Sequence, residues 1–190
     1  MLKTRQKPYV LYPSGVLKGI HRATFLGGQL AFQGFPETIR GTVVIDGYLW
    51  PPRDMGRLET PVVAKIKKGK VVAIDGGTSK SKIIDQWFDG RNKDIQHFCI
   101  GFNPGAKLTG KIMEAERVFG CIALGIGKFP FHSDGIIKNP SILIDNEIIE
   151  QDGCFTHEEL SIPAQHLTQD YEAKKRNPSK GGRKTFSGNI

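Results

Sequence analysis

Apolar residues in this chain come in short runs broken by glycine and proline, a spacing that predicts strands joined by tight turns and few helices. Gly41–Gly47 carries Thr42-Val43-Val44-Ile45 between turn formers, which predicts a strand buried on both faces. Pro61–Ile66 and Lys70–Ile74 flank Lys67-Lys68-Gly69, a hairpin in which the glycine supplies a positive φ. The period then changes. In Thr78–Phe88, Ile83, Ile84, Trp87 and Phe88 fall at i, i+1, i+4 and i+5, an amphipathic helical stripe with Thr78 or Ser79 as N-cap and Gly90 beyond its end. Gln96–Gly101 reads as a strand, Thr109–Phe119 as a helix and Cys121–Ile126 as a second buried strand. Ser141–Ile144 and Ile148-Ile149 flank Asp145-Asn146-Glu147 as another hairpin, and after Gly153 the apolar pattern weakens. No internal repeat is visible.

Composition narrows the class. At 190 residues and 38% hydrophobic, the chain is long enough for one domain with its own core. Three cysteines, at 99, 121 and 154, make no disulfide framework and point to a reducing, cytoplasmic setting. The longest apolar runs are four residues, which excludes a transmembrane helix, a secretory signal and a membrane partner of that kind. The net charge of +8 suggests nucleic acid until it is located: six basic residues against Glu172 alone in 171–190 supply five of the eight charges. From Gln169 the composition is Lys, Arg, Asn, Gly and Ser, with Tyr171 and Phe186 the only aromatics, and predicts a disordered, solvated basic tail. Charge therefore gives the folded body no nucleic-acid partner.

The candidate chemistry centres on Phe131-His132-Ser133-Asp134-Gly135. On an extended chain His132 and Asp134 project to one face and could share a metal ion, although the same spacing also occurs in turns and cap-like pairs. A third ligand must come from elsewhere, and His97 lies in a strand that ends at Gly101-Phe102-Asn103-Pro104-Gly105. Two His and one Asp on one side of an ion form the facial triad of non-haem Fe(II) oxygenases. Cys99 shares a face with His97, either as a soft ligand or as a buried apolar residue; Cys121 sits in an apolar run where nothing lowers its pKa. Glu114 and Glu116, two apart on a helix, point ~200° from each other, so one at most can serve a site. His21, His157 and His166 lie among polar neighbours and are expected to be solvated. Gly125-Ile126-Gly127 and Gly27-Gly28 lack the spacing and following helix of a nucleotide fingerprint, and no P-loop, Gly-x-Ser-x-Gly or Cys-x-x-Cys is present.

Taken in order, Gly27–Phe32, Gly41–Gly47, the hairpin of Pro61–Gly76, His97–Pro104, Met113–Glu116, Ile122–Gly125, His132-Ser133-Asp134 and Ile142–Asp145 resemble the C-terminal domain of the metal-dependent thermophilic aminopeptidase T family. Its superfamily also contains 2,5-dihydroxypyridine 5,6-dioxygenase. The resemblance covers roughly residues 25–153 and implies an α/β (α+β) single domain, strand-rich, with a curved, barrel-like, mostly antiparallel sheet and a few helices. It divides the chain into a lead-in (1–24), a metal-binding catalytic-type domain (25–168) and the basic tail (169–190). It implies His132 and Asp134 as a metal pair. His97 stands where the dioxygenase type has a His ligand and the aminopeptidase type a Glu, and Cys121 stands near a His ligand of the aminopeptidase type. The implied reading is an Fe(II) ring-cleaving dioxygenase acting on a small aromatic molecule, with Glu114 or Glu116 as base. The alternatives are a Zn or Co aminopeptidase acting on a peptide N-terminus, and a degenerate metal-binding module without activity. Relatives of this type are homo-oligomers with an additional N-terminal α/β domain; nothing before His21 supplies one, which implies a fragment or a partner subunit carrying that half.

Overall fold

Two-residue left-handed turns set the strand pairing. Lys68 and Gly69 take φ of 50° and 70° and close β6 (Val62–Lys67) against β7 (Lys70–Asp75) as expected. Asp145-Asn146 and Asp152-Gly153 do the same for β11 (Ile142–Ile144), β12 (Glu147–Gln151) and β13 (Cys154–Phe155). The computed structural model describes residues 10–11, 27–52, 55–75, 77–128 and 131–161. The expected basic tail, most of the lead-in, His21 and His166 lie outside these.

The remaining strands are β1 (Val10–Leu11), β2 (Gln29–Phe32), β3 (Gly41–Ile45), β4 (Tyr48–Trp50), β5 (Gly56–Arg57), β8 (Ile95–Gly101), β9 (Cys121–Lys128) and β10 (Phe131–Lys138). They form a seven-stranded sheet in the order β1-β2-β8-β9-β10-β4-β5 and three-stranded sheets β3-β6-β7 and β11-β12-β13. Every strand ladder among the described residues is antiparallel, and the domain is α+β. The sheets are open at their edges and form no closed barrel, consistent with the expected strand-rich, mostly antiparallel α+β domain.

The large sheet has two differently used faces. On one, Leu49, Ile95, Leu124 and Ile126 pack against Ile45, Val62, Ile66 and Val71 of the β3-β6-β7 sheet and against Ile84 and Phe88 of helix α1 (Ser79–Phe88). This helix is the one expected, with a reciprocal capping box between Thr78 and Ser81. On the other face Tyr48, Cys99, Cys121, Ala123 and Ile136 gather under Ala115 of a short helix α2 (Ile112–Ala115).

Two expectations are corrected. β3 is an edge strand with one covered side, Ile45 buried and Val44 47% exposed, because β-branched residues favour the extended backbone whether or not both faces are covered. The helix expected over Thr109–Phe119 stops after four residues: Asn103 N–H donates to the Arg117 carbonyl and Phe119 N–H donates to the Asn103 carbonyl, so those groups leave the helical ladder. Gly101 makes that crossing possible, since a Cβ there would stand 2.3 Å from the Val118 carbonyl oxygen.

Candidate metal centre

One row of register crosses four neighbouring strands: His97 on β8 opposes Gly125 on β9, which opposes Asp134 on β10, which opposes Trp50 on β4. A bulge between Ile95 and His97 switches faces, so that Ile95 enters the core under α1 while His97 joins Cys99 on the side of Asp134. Strands two apart are separated by ~9.5 Å, too far for direct contact across an ordinary side chain. Gly125 removes the obstacle: a Cβ there would lie 2.4 Å from His97 Cε1 and 2.5 Å from Nδ1. The imidazole therefore lies over Gly125 and brings Nε2 to 3.2 Å from Asp134 Oδ1. His132, two residues before Asp134 and opposite Gly127, places Nε2 3.3 Å from Asp134 Oδ2. The two imidazoles meet edge to face, with centroids 5.1 Å apart.

These three residues were all singled out in the sequence, and the fold assembles them into a cluster whose ligand atoms lie within 4.8 Å of one another. Side-chain exposures are 12%, 21% and 8% for His97, His132 and Asp134, so His132 is the most accessible of the three. Burial alone would push the Asp134 carboxyl up; its contacts with His132 and then His97 outweigh this and hold it below the ordinary carboxylate value. The hydrogen bond to Asp134 raises His132, against the opposing effect of burial. Asp134 Oδ1 and His132 Nδ1 are nevertheless buried without a hydrogen-bond partner. Orphaned polar atoms in a pair of imidazoles and a carboxylate fit a divalent cation. Atoms bound at ~2.1 Å and at right angles to one ion lie ~3 Å apart, close to the separations seen here.

The two glutamates part company, as their helical offset requires. Glu114 is at the surface, where it accepts from Lys107 N–H at 3.1 Å and Thr109 Oγ1 at 2.5 Å, bonds that lower its pKa, and it takes no part in the cluster. Glu116 is buried, accepts from Gln29 Nε2 at 3.0 Å and lies beside Arg117 at 3.5 Å. Burial and then the charge of Asp134 push its carboxyl up, against Gln29, Arg117 and His97, and its charge in turn raises His132.

Cys99 and Cys121 are buried thiols. Burial pushes them up to about 12 and about 11, so neither supplies a thiolate, and neither belongs to the cluster. His157, expected to be solvated, is half-buried instead: Nδ1 accepts from Glu159 N–H at 3.2 Å and Nε2 lies 3.5 Å from Glu147. Two residues of the site escape a reading for motifs. Gly125 enters the sequence reading as part of a Gly-Ile-Gly stretch and of the Ile122–Gly125 piece of the resemblance, with no role at the site, yet glycine inside an apolar strand is the mark of a close approach. Trp50, opposite Asp134, carries no motif at all.

No protein-family model matches the chain, and no curated protein sequence does. Among solved structures, the fold is similar to that of the 2,5-dihydroxypyridine dioxygenase from Pseudomonas putida KT2440, at 21% identity and a TM-score of 0.59. The match covers 69% of this chain and 44% of that one, so the chain spans less than half the length of its structural neighbour. At that identity the likeness establishes the fold. It lies with the dioxygenase and lends no support to the aminopeptidase T domain. Among the described residues no helix is long and apolar enough to cross a membrane.

Proposed function

We propose that this chain is the metal-binding domain of a non-haem Fe(II) dioxygenase that opens a dihydroxylated N-heteroaromatic ring. The observation that carries the reading is the convergence of His97, His132 and Asp134 on one face of the sheet, with Asp134 Oδ1 and His132 Nδ1 buried without a hydrogen bond. Two imidazoles and one carboxylate suit Fe(II) and leave coordination positions for other ligands. The distant fold likeness to a 2,5-dihydroxypyridine dioxygenase supports the same choice. Bound there, Fe(II) would supply open positions for substrate and O₂ and the capacity for one-electron transfer.

The chain's own residues have separable roles. His97, His132 and Asp134 each offer one ligand atom, Gly125 clears the floor beneath the His97 ring, and Gly127 lets the backbone at His132 approach closely. Glu116 is the candidate base for a substrate hydroxyl: its carboxylate sits in a shielded position fixed by Gln29, and its raised pKa moves it toward neutral pH, where proton transfer is most effective. Glu114 is better accounted for as the residue that folds the 107–111 segment onto α2. This chain spans less than half of the neighbour's length, and we assign the remainder to a partner subunit or further chain segment.

The test is anaerobic loading with Fe(II), followed by 2,5-dihydroxypyridine and O₂. Stoichiometric O₂ uptake with loss of the aromatic absorbance supports the proposal. Peptide hydrolysis with Co²⁺ or Zn²⁺ in place of ring opening would assign the site to hydrolysis, and metal binding with neither reaction would leave a binding module.

A further inference from the structure

We propose that Trp50 is the stacking platform that selects a planar ring as the substrate at this site, an inference that rests on the metal-centre reading above. Trp50 is the fourth member of the row His97–Gly125–Asp134–Trp50, directly opposite Asp134 on the neighbouring strand. Opposed residues of an antiparallel pair point to the same face with Cβ atoms ~5 Å apart, so the indole flanks the carboxylate on the side away from His97. The face is fixed independently: Tyr48, two residues earlier on β4, packs with Ile136 and Cys99, whereas Leu49 between them enters the opposite core. Yet Trp50 is 41% exposed beside an aspartate that is 5% exposed, an aromatic surface left open at the mouth of a buried polar cluster.

The platform is held from behind. Lys80 Nζ of α1 donates to the carbonyls of Met55 at 2.9 Å and Arg57 at 2.7 Å, and Arg57 and Gly56 pair with Tyr48 and Leu49, so β5 is fixed against the strand that carries Trp50. A rigid aromatic face offers dispersion and quadrupole contact to any flat ring and little to a flexible aliphatic chelator. Trp50 is thus a specificity residue that need not touch the metal or move a proton.

The test uses the full chain loaded with Zn²⁺, a redox-silent ion that permits binding without turnover. Calorimetry gives the affinity for 2,5-dihydroxypyridine and for glycolate, an aliphatic hydroxy acid. Trp50→Ala is expected to weaken the ring compound about tenfold and glycolate by less than about twofold, and Trp50→Phe to restore the ring compound to within about threefold of wild type. Equal losses for both ligands, or none for the ring compound, overturn the proposal. Fluorescence gives an arm that needs no metal: the chain has two tryptophans, so quenching by the ring compound in the metal-free wild type but not in Trp50→Phe supports stacking on Trp50, and equal quenching in both overturns it. The metal reading is scored separately, by whether zinc binds and whether His132→Ala abolishes that binding.

Discussion

His97 and Asp134 stand two strands apart, yet Nε2 of one lies 3.2 Å from Oδ1 of the other, across a residue with no side chain. Gly125 is thereby as much a part of the centre as the ligands. Its φ is not in the left-handed region, so its requirement is for space alone, and the atoms a Cβ would meet belong to the His97 ring. Gly125→Ala is expected to lower divalent-metal affinity about 100-fold by displacing that imidazole, in line with the cost of disturbing a ligand's support. Gly34→Ala, outside the left-handed region and at a position where a Cβ would meet only side-chain atoms of Ile39 and Phe98, serves as the control for a glycine change as such. Calorimetric titration of both variants checks this, and unchanged affinity in Gly125→Ala would remove the glycine from the account.

Glu116→Gln keeps the shape of the side chain and its contact with Gln29 while removing the basic group. Metal affinity should stay within about threefold of wild type, whereas turnover on a ring substrate should fall by roughly 10² to 10⁴. Steady-state O₂ uptake measures this. Turnover equal to wild type would leave the base to be sought elsewhere, and a parallel loss of metal would move Glu116 into the ligand set.

Glu150 offers a pH prediction remote from the metal. It is 1% exposed on β12, its Oε2 has no partner, and burial raises its carboxyl to about 7. An acid whose folded-state pKa is raised holds a proton that the unfolded chain releases. Its contribution is therefore fully present below the ordinary carboxylate range, declines as pH climbs toward about 7 and levels off above it. Glu150→Gln removes that slope. Thermal denaturation between about pH 4 and 8 should show the variant gaining on wild type as pH rises. A Tm difference that stays constant across the range would contradict the assignment.

Local signals in the sequence were read well where one turn or one face decides the outcome. Lys68-Gly69 closes its hairpin, and Thr78 caps a helix whose stripe of Ile83, Ile84, Trp87 and Phe88 faces the core. His132 and Asp134 were legible because a strand alone puts them on one face. What depends on the pairing of distant strands was not. The bulge that turns His97 toward Asp134, the opposition of Trp50 to Asp134 and the clearance at Gly125 are properties of register, which no window of neighbouring residues contains. The shortened helix after Lys111 has the same origin, since Asn103, more than ten residues away from Arg117 and Phe119, takes their backbone groups. His97 stood as candidate third ligand both from its strand and from the family resemblance; the row of register adds the physical reason it can reach Asp134.

The most direct measurement is an anaerobic titration of the metal-free chain with Fe(II), run beside His97→Ala, His132→Ala and Asp134→Ala with their folding checked by circular dichroism. The account predicts one ion bound per chain in the wild type and affinity lowered at least about 100-fold in each folded variant. Absence of Fe(II) binding, or binding unchanged in folded His132→Ala and Asp134→Ala, would contradict it.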